Sequence, residues 1–184
     1  MKRALVASIL GIAASVASSY GQANILFDTY LSSPFAIVQW SSNPALAPAG
    51  RAGSATTAGE FVANLLWTYG TTTGSAGLAV PTTGDVGTYG SGFIMYPNVV
   101  STAANFPGGP INFTIQVWQG ADYASAMAKG EVSWTEPSGA FVPAGPASAF
   151  TALPGNIIVT VPEPSTLALA GLGAAAMLIF RRRQ

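Results

Sequence analysis

The chain is 184 residues long, 49% hydrophobic and only 8% charged, with seven acidic and seven basic side chains that cancel to zero formal charge. It holds no cysteine and no histidine, which excludes disulfides, thiolate catalysis, a lipid-modified cysteine, Cys or His metal sites and a Ser-His-Asp triad. Between Asn24 and Val161 the acids Asp28, Glu60, Asp85, Asp122, Glu131 and Glu136 face only Arg51 and Lys129, a net of about −4, and such a surface excludes nucleic acid, whose phosphates need several clustered cations.

The chain opens with Met1-Lys2-Arg3, a basic start, followed from Ala4 to Val16 by an apolar run broken only by Ser8, Gly11 and Ser15. Small residues at cleavage spacing follow, and this order predicts a secretory signal peptide over 1–23. Gly21 and Ala23 direct the cut between Ala23 and Asn24, with Ala17 and Ser19 as the upstream option. The expected partners are the Sec export machinery and signal peptidase. An uncleaved anchor is the alternative, disfavoured by the short apolar run. No further stretch of the body reaches the 18 or so apolar residues of a membrane span.

The body, 24–160, has the composition of a β domain: Gly, Ser, Thr, Ala and Pro separate short runs of β-branched and aromatic residues. The clearest run is Ile111-Asn-Phe-Thr-Ile-Gln-Val117, in which odd positions are apolar and even ones polar, the period of a strand with one buried face. Six further strands are expected at Ile25–Leu31, Phe35–Trp40, Phe61–Tyr69, Gly92–Tyr96, Glu131–Thr135 and Asn156–Val161. Together they predict a mostly β, antiparallel, sandwich-like exported domain. Turns are expected at Ser42-Asn43-Pro44, 81–84, 106–110 and 143–146, and a glycine-rich loop over 45–59. A short helix is predicted over Ala121–Lys129, capped by Asp122 and stopped by Gly130.

Candidate sites in the body weigh against plain structure. The carboxylates stand singly, with neither a calcium loop nor a pair of catalytic acids, so neither enzymatic activity nor a metal or cofactor is expected. Glu131 and Glu136 would lie on opposite faces of one strand and serve solvation. Trp40, Trp67, Trp118 and Trp134 sit in or at the ends of predicted strands, where core packing is the ordinary role. A platform that stacks on sugar rings, with extracellular polysaccharide as partner, is the alternative. Asn112-Phe113-Thr114 fits a glycosylation sequon, but inside a strand it reads as coincidence.

At the far end, Pro162-Glu163-Pro164 precedes an uncharged run from Leu167 to Phe180 and then Arg181, Arg182 and Arg183. Fourteen helical residues reach roughly 21 Å, short of the ~30 Å hydrocarbon core. Ser165 and Thr166 at the start and snorkelling arginine stems at the end recover part of that deficit. The run has no polar face, carries Gly171 and Gly173 among alanines, and ends in a stop-transfer cluster that keeps the C-terminus in the cytoplasm. A transmembrane helix over 166–180 with a basic tail at 181–183 is therefore expected, and a buried core helix is the alternative.

Pro162-Glu163-Pro164-Ser165-Thr166, the short apolar helix and the arginine-rich end resemble the PEP-CTERM sorting domain of bacterial exported proteins. The resemblance covers 161–184. It implies recognition by exosortase, a membrane-embedded transpeptidase-like enzyme, and removal of the helix and arginines near the motif. The segment from Phe106 through Ile111–Trp118 to Ala128 is also similar, more loosely, to the body of some proteins of that group, which implies a β-sandwich and no activity. The expectation is an exported, non-enzymatic surface or extracellular-matrix protein. It would sit in the cytoplasmic membrane with its body outside until processed, then at the cell surface.

Overall fold

The computed structural model describes residues 21–102 and 106–161. The expected signal peptide, 1–23, lies outside the described residues as far as residue 20, and so does the C-terminal segment with Pro162, Glu163, Pro164, its apolar run and Arg181, Arg182 and Arg183. Among the described residues no helix is long and apolar enough to cross a membrane.

The described chain is mostly β, with nine strands and two short 3-10 turns, Pro44–Leu46 and Gly87–Tyr89. The strands are β1 (Asn24–Asp28), β2 (Val38–Trp40), β3 (Val62–Tyr69), β4 (Thr72–Ser75), β5 (Val80–Pro81), β6 (Met95–Ser101), β7 (Ile111–Trp118), β8 (Lys129–Glu136) and β9 (Ile157–Val159). An antiparallel sheet in the order β4-β3-β7-β8, with β5 also on β3, is the largest unit. Two smaller pairs accompany it, antiparallel β1-β6 and parallel β2-β9.

Alternation in β3 and β7 explains the centre of the large sheet. Ala63, Leu65, Trp67 and Tyr69 point inward from β3, and Ile111, Phe113, Ile115 and Val117 from β7. In register, Leu65 faces Ile115 and Trp67 faces Phe113. Each such side chain contributes about 1.5–3 kcal/mol by leaving water. Ile25 and Phe27 of β1, Val38 and Trp40 of β2, and Ile157 and Val159 of β9 join the same cluster, so one core serves all three sheets.

All seven expected strands are present, with shifted ends. β6 begins at Met95 rather than Gly92, because residues 92–94 are bonded elsewhere: Gly92 donates to Thr83 and accepts from Val38, and Ile94 bridges Thr82. Pro97 is accommodated in β6 where the register shifts against β1 between Leu26 and Asp28, a place that needs no amide donor. β4 and β5 were not expected. β4 forms because Gly70, at φ +55°, turns the chain back onto β3, where Gly74 lies opposite Trp67 and leaves room for its indole.

The helix expected over Ala121–Lys129 does not form. Asp122 instead accepts from Ser125 N–H at 2.9 Å and Ser125 Oγ at 2.7 Å, and the chain turns. Lys129 Nζ donates to the carbonyls of Tyr123 and Ala124 at 3.0 and 3.2 Å, and Lys129 itself starts β8. The Asp122 bonds are those of a helix cap, but the carbonyls a helix would use next are held by Lys129 Nζ and the chain passes into β8.

Candidate functional site

The candidate site is the junction at which the folded body meets its C-terminal segment, and it is built by β9. Ile157, Ile158 and Val159 run parallel to Val38, Gln39 and Trp40. Asn156 starts the pairing, its Oδ1 accepting from Ile37 N–H at 3.2 Å while its Nδ2 donates to Gln39 Oε1 at 3.1 Å. Beyond the strand, Ser41 N–H donates to Val159 O at 2.9 Å, and Thr160 exchanges two backbone bonds with Lys129 at 3.0 and 3.1 Å. Val161 N–H donates to Leu46 O at 3.0 Å. The fold is thus hydrogen-bonded up to the residue that precedes Pro162, with no spacer between them.

Gly130 makes this docking feasible. A Cβ there would stand 2.1 Å from the carbonyl oxygen of Ile158, so β8 and β9 approach where only a glycine fits.

Both basic side chains of the body flank the end of β2 and β9. Arg51 reaches back from the 45–59 loop to Glu60 Oε2 at 2.8 Å and lies over the Trp40 ring at 5.9 Å. Glu60 also accepts from Thr57 N–H at 2.7 Å, Thr57 Oγ1 at 3.1 Å and Trp40 Nε1 at 3.2 Å. Burial alone would raise this carboxyl; the bonds from Arg51 and Thr57 and the charge of Arg51 outweigh it and hold it below its ordinary value of 4.5. The sign follows: a depressed carboxyl stabilises above its unfolded value and that contribution fades as pH falls through the folded one. Urea denaturation of Glu60→Gln against wild type should show a gap at neutral pH that narrows below about pH 4.5; a constant gap would refute it.

On the other side, Lys129 Nζ sits 5.0 Å over the Tyr123 ring, and Tyr123 donates its hydroxyl to Glu131 Oε2 at 3.0 Å. Burial, then the hydrogen bond and negative charge of Glu131, push the Tyr123 phenol up to about 12. Its stabilising contribution is complete below the ordinary value of 10.0 and is lost as pH rises from there toward 12. Absorbance titration at alkaline pH should show one tyrosine ionising late, and Glu131→Gln should bring it earlier. No change in that variant would count against the assignment.

The four tryptophans are all buried, at 2% exposure for Trp40, 6% for Trp67, 7% for Trp118 and 9% for Trp134. They form no common outward face, and stacking through their rings is not open to a ligand. The large apolar area of Trp40, Trp67 and Trp134 is satisfied by the core instead, and Trp118 packs edge to face on Tyr123 at 6.2 Å. Trp67 borders a shallow groove of about 510 Å³ that it shares with Leu66, Thr68, Asn112 and Thr114.

Glu131 and Glu136 do lie on opposite faces of β8, but only Glu131 is solvated. Glu136 is fully buried. Its Oε1 accepts from Trp134 Nε1 at 2.9 Å, Thr151 N–H at 2.9 Å and Ala152 N–H at 3.0 Å, and its Oε2 pairs with Thr151 Oγ1 at 2.6 Å. This carboxylate clamps the end of β8 to the segment that leads into β9. The Trp-x-Glu spacing was the available signal, since residues two apart on a strand share a face and Trp134 faces inward.

Sequence reasoning missed a surface cluster of aromatic rings between the loop after β1 and the loop after β5. Tyr30 meets Tyr89 and Phe93 edge to face at 5.2 and 5.3 Å, and Phe35 lies 6.1 Å from Tyr89. Phe35 and Tyr89 are each more than half exposed, as is Leu31 beside them. Asp28 fixes the first loop by accepting from Tyr30 and Leu31 N–H at 2.8 and 3.0 Å.

Of the two residues at the expected signal cleavage, Ala23 is wholly buried and Asn24 opens β1 opposite Ser101. Compared with known proteins, the chain matches the family model of the PEP-CTERM protein-sorting motif over residues 160–183, which begins on Thr160, the residue paired with Lys129. No curated protein and no solved structure matches the chain.

Proposed function

We propose, from a chain whose C-terminal end carries the PEP-CTERM sorting motif, that the body is the cargo of that motif. On this reading it is a non-enzymatic surface or extracellular-matrix domain. The motif itself implies an exported protein sorted by exosortase. The observation that carries the proposal is the direct junction: β9 and Thr160–Val161 are pinned to Trp40, Lys129 and Leu46, so whatever is bonded to the processed end is bonded to the domain without a linker. The carboxylates support a structural role. Asp28, Glu60, Asp122, Glu131 and Glu136 each accept bonds that fix a loop, a turn or a strand end. Fractionation of host cells with and without exosortase tests it: the protein should change both mass and compartment, and identical behaviour in the two strains would reject the sorting assignment.

A second reading, recognition of extracellular polysaccharide, is favoured by the exposed rings of Phe35 and Tyr89 rather than by the tryptophans. Affinity electrophoresis in the host's polysaccharide should show retardation that Phe35→Ala with Tyr89→Ala removes. Equal mobility of wild type and double variant would dismiss it.

A further inference from the structure

Residues 21–23 are built into the fold. Gly21 bridges Phe106 in antiparallel fashion, and the buried Phe106 donates its N–H to the Gly21 carbonyl at 2.8 Å. The Gln22 carbonyl accepts from Ala144 N–H at 3.0 Å. Ala23 donates to Thr102 Oγ1 and accepts from Thr102 N–H, both at 2.9 Å, and its methyl is wholly inside the core. The approach at Gly21 is close enough that a Cβ would stand 2.4 Å from Ala144 N. Ala144 itself holds φ +55°, a conformation sparsely populated by residues with a side chain, and it is kept there by bonds that include the one to Gln22. Three consecutive residues therefore tie together three separate segments, at 102, 106 and 144.

We propose that the export cut falls on the amino side of Gly21, so that Gly21, Gln22 and Ala23 stay with the mature domain. The inference rests on the export reading above. Cutting before Asn24 would strip the acceptor from a buried amide at Phe106, open the space filled by the Ala23 methyl and release the contact that holds Ala144. A buried amide without a partner is strongly disfavoured, and a body matched to these residues is one that retains them. The upstream pair of small residues, Ala17 and Ser19, supplies the site. Water adds across the Ser19–Tyr20 peptide bond, its hydroxyl going to the Ser19 carbonyl carbon and its hydrogen to the Tyr20 nitrogen.

The test is the first residue of the full-length gene product after export by its host, identified by mass spectrometry of the N-terminal peptide. A start at Tyr20 is expected. A start at Asn24, or at Met1 on exported protein, would overturn this inference and leave export intact, whereas a chain held in the cytoplasm would overturn both. The full chain carrying Ser19→Phe gives a second reading, because a bulky ring blocks the small-residue position: the Tyr20 start should disappear, and its persistence at the wild-type level would sink the assignment.

Discussion

Replacing Glu136 by alanine should destabilise the domain by roughly 3–5 kcal/mol, the range for removing one member of a buried polar network. The substitution leaves Trp134 Nε1 and the amides of Thr151 and Ala152 without their acceptor, and it opens a cavity under β8. Glutamine at the same place should behave very differently. Its amide oxygen can take over all three N–H bonds of Oε1, and its NH2 can donate to Thr151 Oγ1, a hydroxyl that can turn from donor to acceptor. Glu136→Gln should therefore lose about 1 kcal/mol. Chemical denaturation of the two variants beside wild type decides the matter. If alanine and glutamine cost the same, the carboxylate is not the clamp described above.

Gly130→Val should be the next most damaging change, on the order of 3 kcal/mol, at the upper end of overpacking costs. The obstacle is backbone: the added Cβ meets the Ile158 carbonyl at 2.1 Å and the Val159 Cα at 3.1 Å, and neither can rotate away as a side chain would. β9 must lift off β8, and the exchange of bonds between Thr160 and Lys129 is broken with it. Hydrogen exchange gives the specific signature. The amides of Thr160 and Val161 should lose protection while those at the centre of β7 keep theirs. Uniform loss across both would mean that the glycine serves the whole core rather than the terminal strand.

How much of this was legible in the sequence depended on where the information lay. β7 could be read outright because seven residues, Ile111 to Val117, carry the alternation themselves, and its neighbours β3 and β8 follow from the β-rich runs at 61–69 and 131–135. The sorting segment was legible for the same reason, as its motif, apolar run and cations are contiguous. β4 was not, because Thr-Thr-Gly-Ser has no apolar period and becomes a strand only through the turn at Gly70. Nor was the parallel pairing of β2 with β9: three residues on each side cannot specify a partner more than a hundred positions away, and burial of Val38 and Val159 in the common core does it instead. The expected helix at 121–129 stops at its cap: Asp122 bonds Ser125 N–H as an N-cap would, but Lys129 Nζ takes the Tyr123 and Ala124 carbonyls and Lys129 itself pairs into β8. Trp40, Trp67 and Trp134 join the core and Trp118 is buried beside Tyr123, whereas the outward aromatic rings, Phe35 and Tyr89, belong to segments that only meet in three dimensions.

The placement of β9 sets the timing of assembly. A chain threading outward from its amino end presents β2 early, yet β2 has to wait with one edge open until Ile157–Val159 emerge. By then the next residues to appear are those of the sorting segment, so the domain closes only at the last residues that precede that segment. The body is in this way completed only at its junction with the tail, and a polypeptide released before residue 157 would lack the piece that seals it.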